Sequence, residues 1–128
     1  MIYLDTSVAM AHLLGEDRRP SDTLWQQLLV SSRLLEYELW VRIQARGLSG
    51  SHAERVRETL ERVGLVELEP HVLARVLEPF PAPVRTLDAL HLATVEFLRS
   101  QGQAISLASY DQRLNTAARA LQIPLFDF

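Results

Sequence analysis

The chain has 128 residues, 48% of them hydrophobic, with a formal net charge of −3, which points to one domain, 1–128, with a real core. It has no cysteine, which excludes a disulfide framework, a thiolate zinc site and a thiol nucleophile, and fits a reducing cytoplasm. All thirteen basic residues are Arg, and the absence of Lys excludes a Walker A lysine, a Schiff-base lysine and the lysine of a receiver-type phosphorylation site.

The N-terminus lacks a basic n-region and meets Asp5 early, unlike a secretory signal. No apolar run is long enough to span a bilayer, so no membrane partner is expected. Ile2–Leu4 reads as a short strand. Thr6 and Ser7 are candidate caps for a helix over Ser7–Leu14, which Gly15 ends. Glu16–Pro20 reads as a loop, and Ser21 starts a helix running to about Leu29. Leu29–Ser31 is expected to be a second strand and Arg33–Arg46 a helix closed by Gly47.

Ser51 and Glu54 have capping-box spacing for a helix over Ala53–Val63, ended by Gly64. Leu65–Leu68 reads as a strand, and Pro70 opens a short helix to about Leu77. Pro79, Pro81 and Pro83 mark an extended connection. Thr86–Ser100 is expected to be a helix with Thr86 as its cap, Ile105–Ala108 a buried strand, Asp111–Leu121 a helix and Ile123–Phe126 a last strand. Strands alternating with helices predict an α/β domain with a mainly parallel sheet, whose sites form at the carboxyl ends of the strands.

Four acidic residues, Asp5, Glu38, Asp88 and Asp111, adjoin apolar segments where charge is costly unless something positive compensates it. Asp5 and Asp111 each sit just past a strand and before a helix, so each also suits a helix cap. Asp88, in the first turn of its helix, also suits the helix dipole. His91 lies three residues on, on the same face, and reads as a satisfied core histidine rather than a metal ligand. Glu36 and Glu38 are two apart on one helix and diverge by about 200°, so they cannot share a site. Periodicity leaves the choice between them open, and Glu38 is also placed for an i,i+4 pair with Arg42. Carboxylates of this kind suit a hard cation such as Mg²⁺ or Mn²⁺, and hence phosphodiester chemistry. Without the four, thirteen basic residues stand against twelve acidic ones, so a metal-loaded chain need not repel RNA.

The ordered set Asp5-Thr6-Ser7, Ser32-x-x-x-x-x-Glu38-Leu39, Leu87-Asp88-Ala89-Leu90-His91-Leu92-Ala93 and Ser109-Tyr110-Asp111 resembles the PIN-domain ribonucleases, in particular the VapC-type toxins of bacterial toxin–antitoxin pairs. The resemblance spans Ile2 to Phe126 and selects Glu38 over Glu36. It implies a three-layer α/β/α sandwich around a parallel sheet of four to five strands. It implies that Asp5, Glu38, Asp88 and Asp111 bind Mg²⁺ or Mn²⁺ and carry catalysis, with Thr6, Ser7 and Ser109 as supporting polar groups. Family members often have threonine at the Ser109 position, so the hydroxyl is kept, and some have asparagine at that of Ser7. Homodimers, an RNA substrate and a small antitoxin partner are further implications; Trp25, Trp40, Arg42 and Arg46 could face RNA or that partner. Two alternatives accompany this reading. One is a non-catalytic PIN-like module that binds RNA or protein. The other is an aspartyl phosphatase, which the serine at position 7 and the absence of lysine disfavour.

Overall fold

The computed structural model describes residues 1–16 and 20–128. Four strands, β1 (Ile2–Leu4), β2 (Leu29–Ser32), β3 (Val63–Val66) and β4 (Ser106–Ala108), form one sheet in the order β3-β2-β1-β4 with every neighbouring pair parallel. Parallel neighbours need crossovers, and helices supply them. These are α1 (Thr6–Leu14) and α2 (Asp22–Trp25), then α3 (Leu34–Ala45) and α4 (Ser49–Glu61), then α5 (Pro70–Leu73) and α6 (Thr86–Ser100). A 3-10 turn at Ala74–Leu77 extends α5, and α7 (Gln112–Ala120) follows β4.

Strand side chains alternate between the two faces of the sheet, and each face has its own core. On one face Ile2, Leu4, Leu29 and Ala108 pack with Val8 and Leu13 of α1, Leu35, Leu39 and Ile43 of α3, and Val56 of α4. On the other, Tyr3 and Leu107 pack with Leu92 and Val95 of α6 and Leu114 and Ala118 of α7. This is the expected three-layer α/β/α sandwich, and covering both faces accounts for strands that are apolar almost throughout. No helix among the described residues is long and apolar enough to cross a membrane.

Several boundaries differ from the sequence reading. Asp5, not Thr6 or Ser7, caps α1, and Gly15 closes it at φ 62°, a left-handed conformation that suits glycine. The loop assigned to Glu16–Pro20 falls mostly on residues 17–19, outside the described residues. The helix from Ser21 stops at Trp25, because Leu29 is needed in β2, in register with Ile2 and Val63. Helix α4 starts at Ser49, so Ser51 lies inside it and forms no capping box. Gly64 does not end that helix; it pairs with Val30 inside β3, which lies two residues earlier than expected. Arg33 and Arg85 occupy the cap positions of α3 and α6, so Thr86 is already helical. The expected last strand contributes one parallel bridge, Leu107 to Leu125, flanked by two backbone hydrogen bonds of 2.8 Å.

The chain runs from β1 outward to β2 and β3, then returns to place β4 on the other side of β1. The β1/β4 boundary is therefore the topological switch point, where the carboxyl ends of an open parallel sheet leave a crevice. Core packing fixes this frame. Leu92 is fully buried and Leu77 is 88% exposed. Urea unfolding should show Leu92→Ala destabilised by about 2–5 kcal/mol and Leu77→Ala by less than about 0.5 kcal/mol.

Candidate active site at the mouth of the sheet

Asp5 leaves β1 at the switch point. Its carboxylate oxygen Oδ2 accepts hydrogen bonds from the Ser7 backbone N–H (3.3 Å), the Ser7 hydroxyl (2.6 Å) and the Ser109 hydroxyl (2.8 Å). All three converge on Oδ2, and Oδ1 takes none of them. The two serines are in turn fixed by the backbone: the Tyr110 N–H donates to Ser7 Oγ (3.0 Å), and the Asp111 N–H donates to Ser109 Oγ (2.9 Å). Each hydroxyl proton goes to Asp5, so the 3.5 Å approach of the two serine oxygens is a contact between two acceptors. A pair of hydroxyls thus locks the loop after β4 to the carboxylate at the end of β1.

Glu38 faces the pocket from α3, and only 9% of the residue is exposed. Its Oε1 accepts from the Thr6 hydroxyl at 2.9 Å and meets His91 Nε2 at 2.6 Å, while Arg42 approaches Oε2 at 3.2 Å. Burial pushes the Glu38 carboxyl up, but the hydrogen bond and charge of His91, the Thr6 hydroxyl and Arg42 together outweigh it and hold the group below the usual carboxylate range. Glu36 takes no part in the pocket: it pairs with Arg33 at 2.8 Å. Helical divergence places one glutamate inside and the other outside, as the two-residue spacing requires.

His91 is linked on its other side. Tyr3 Oη lies 2.7 Å from Nδ1, and the Ser32 N–H donates to the same hydroxyl at 3.1 Å. The ionised Glu38 only accepts, so Nε2 carries a proton; in the neutral ring Nδ1 then accepts from the Tyr3 O–H. With the ring neutral, Ser32 N–H, Tyr3 O–H and His91 N–H form a single-direction line ending on Glu38; with the ring charged, Nδ1 donates to the Tyr3 oxygen and Nε2 still donates to Glu38. Burial raises the Tyr3 phenol far above its ordinary value, so it remains a donor.

Asp88 and Asp111 share one cation. Arg85 Nε donates to Asp88 Oδ2 at 3.1 Å, and a terminal guanidinium nitrogen donates to Asp111 Oδ2 at 3.1 Å. Asp111 also caps α7, its Oδ1 accepting from the N–H groups of Arg113 and Leu114. Asp5, Glu38, Asp88 and Asp111 line one pocket of about 250 Å³, together with Arg42 and Arg85. The chemistry of this donor set fits a hard divalent cation. As arranged, each carboxylate is held by protein groups, and among the described residues no group of three or more His, Cys, Asp or Glu is set as a ready metal cluster.

The supporting residues divide among different carboxylates. Ser7 orients Asp5, whereas Thr6 binds Glu38. Ser109 gives its proton to Asp5 rather than to Asp111, its sequence neighbour. His91 is a satisfied buried histidine, as the sequence suggested. Arg42 contacts Glu38; Trp25 lies under Arg62 and Trp40 under Arg57. Tyr3 and Arg85 were not singled out from the sequence. Arg85 had a signal, a cation three residues before Asp88 at a helix start. Tyr3 had none, since an aromatic residue in an apolar strand reads simply as core.

Residues 2–120 match the PIN domain family. Ribonuclease VapC35 of Mycobacterium tuberculosis is 33% identical over 129 residues, covering 96% of this chain and 93% of that protein. Ribonuclease VapC46 of the same organism is 33% identical over 126 residues, covering 94% and 92%, and Ribonuclease VapC47 is 29% identical over 126 residues, covering 93% and 90%.

The Tyr3 phenol is raised, so its contribution to stability is fully present below its unfolded value of about 10 and is lost as pH rises above that. Absorbance at 295 nm should show one of the three tyrosines ionising only when the chain unfolds in alkali, and Tyr3→Phe should remove that late component. The matched family, the parallel sheet with its acidic mouth and the full-length relatives agree, and this chain belongs to the PIN-domain family, among its VapC-type ribonucleases.

Proposed function

We propose that this protein is a divalent-metal-dependent endoribonuclease and the toxin of a toxin–antitoxin pair, working in the cytoplasm. The observation that carries the reading is the convergence of Asp5, Glu38, Asp88 and Asp111 on one pocket at the switch point of the sheet. Full-length similarity to proteins named ribonucleases supports RNA as the substrate. Four carboxylates against the guanidiniums of Arg42 and Arg85 leave the pocket formally negative, so an RNA phosphate needs further positive charge there. Mg²⁺ or Mn²⁺ held by Asp5, Glu38, Asp88 and Asp111 would supply that charge and make a water nucleophilic near neutral pH.

The chain's own residues prepare the site. Ser7 and Ser109 hold Asp5 through one oxygen and leave the other uncommitted by these bonds. His91, Thr6 and Arg42 keep Glu38 ionised despite its burial. Asp88 stands in the first turn of α6, where the helix dipole attracts a negatively charged side chain. Attack of water on phosphorus, with the P–O3′ bond breaking and a proton passing to the departing 3′ oxygen, would leave 5′-phosphate and 3′-hydroxyl ends. A homodimer and a small antitoxin that covers this mouth complete the proposal, on the resemblance of the sequence motifs to VapC-type toxins. The prediction concerns Asp88→Asn. Circular dichroism and thermal unfolding should be close to those of the unchanged protein, while cleavage of RNA in Mg²⁺ should fall by at least about 100-fold. Cleavage at the original rate would refute the site assignment.

A further inference from the structure

We propose that Arg85 is a built-in counter-cation that bridges Asp88 and Asp111 until a divalent ion displaces it, and that the released guanidinium then holds an RNA phosphate in the adjoining groove. The inference rests on the metal-dependent reading above and assigns a role to a residue outside the acidic quartet.

The geometry joins three facts. Arg85 engages both aspartates at once, each at 3.1 Å, and the two carboxylates come from different elements, the start of α6 and the cap of α7. A hard cation shared between Asp88 and Asp111 would claim the same oxygens. The Arg85 side chain is 58% exposed while that of Asp88 is 12% exposed, so the cation lies on the solvent side of the pair and can leave without disturbing the core. Exposed ion pairs are weak, whereas a divalent ion brings twice the charge and prefers carboxylate oxygen. The bridge is therefore strong enough to hold the aspartates in the absence of metal and weak enough to yield to it.

A released Arg85 has a destination. Arg85 and Asp88 line both the acidic pocket and a neighbouring groove of about 510 Å³. The groove runs between the proline-marked segment before α6, at Pro83 and Val84, and the first turns of α7, at Gln112, Arg113 and Thr116. Arg113, a second arginine, lines it together with the neutral Gln112 and Thr116. Once the aspartates are neutralised by metal, two guanidiniums beside the scissile position suit a phosphodiester backbone, since each can grip a phosphate with two parallel hydrogen bonds.

Calorimetric titration of Mn²⁺ into the full chain and into Arg85→Gln tests the displacement. Arg85→Gln should bind Mn²⁺ about three- to tenfold more tightly, because the ion no longer displaces a cation. Anisotropy of a fully phosphorothioate single-stranded RNA tests the handover. With Mn²⁺ present, Arg85→Gln should bind it several-fold more weakly than the unchanged chain, and without metal the two should bind alike. Circular dichroism establishes that both proteins are folded. Equal Mn²⁺ affinity in the two proteins overturns the displacement, and RNA binding in Mn²⁺ that is indifferent to Arg85 overturns the handover; in either case the proposed ribonuclease function stands. Failure of both folded proteins to bind Mn²⁺ overturns this inference and the metal-dependent reading together.

Discussion

The buried line from the Ser32 amide through the Tyr3 hydroxyl and His91 to Glu38 is the interaction on which the rest of the site depends. It crosses β2, β1, α6 and α3, and the Thr6 hydroxyl adds α1 at the same carboxylate oxygen. Ser32, Tyr3 and His91 are cut off from bulk water and must find their partners within the protein. Tyr3 is fully buried and His91 nearly so, so the removal of one member strands the others. The line therefore does two things at once. It fixes the angle at which α3 and α6 meet the sheet, and it delivers an ionised carboxylate to the mouth of the sheet.

Electrostatics elsewhere in the pocket follows the same economy. Asp5 and Asp111 are helix caps, and they are also strand-end carboxylates aimed at the switch point. The two roles do not compete, because each aspartate divides its oxygens. Asp111 caps α7 with Oδ1 and meets Arg85 with Oδ2. Asp5 gathers its three donors on Oδ2. A helix start after a parallel strand is where a carboxylate is least costly, since backbone N–H groups and the dipole both favour it. A site assembled at such junctions gathers negative charge from residues that the fold already stabilises. Arg85 and Arg42 then offset part of that charge from the solvent side.

Much of this was legible in the sequence, for identifiable reasons. The short apolar runs at Ile2–Leu4 and Ile105–Ala108, each followed by an aspartate, revealed the adjacent strands β1 and β4 and the residues at their ends. Helices α3 and α6 were placed almost to the residue, because Gly47 and Gly102 lie just past their ends and the proline segment precedes α6. The region from Ser51 to Leu68 was misplaced, since Ser51 and Glu54 imitate a capping box and Gly64 imitates a helix stop. The pairing of Gly64 with Val30 is a long-range demand that no local motif announces. The same holds for the hydroxyls, whose carboxylate partners no local motif announces. Tertiary packing gave Thr6 to Glu38 and Ser109 to Asp5. Sequence indicated which carboxylates gather at the mouth of the sheet more readily than which hydroxyls they touch.

The central claim is that Asp5, Glu38, Asp88 and Asp111 form one metal site. Anomalous diffraction from crystals grown with Mn²⁺ tests it most directly. The account predicts a strong peak inside the pocket, held by the four carboxylates directly or through water. A pocket without anomalous signal at saturating Mn²⁺, with all four carboxylates still held by their protein partners, would contradict it.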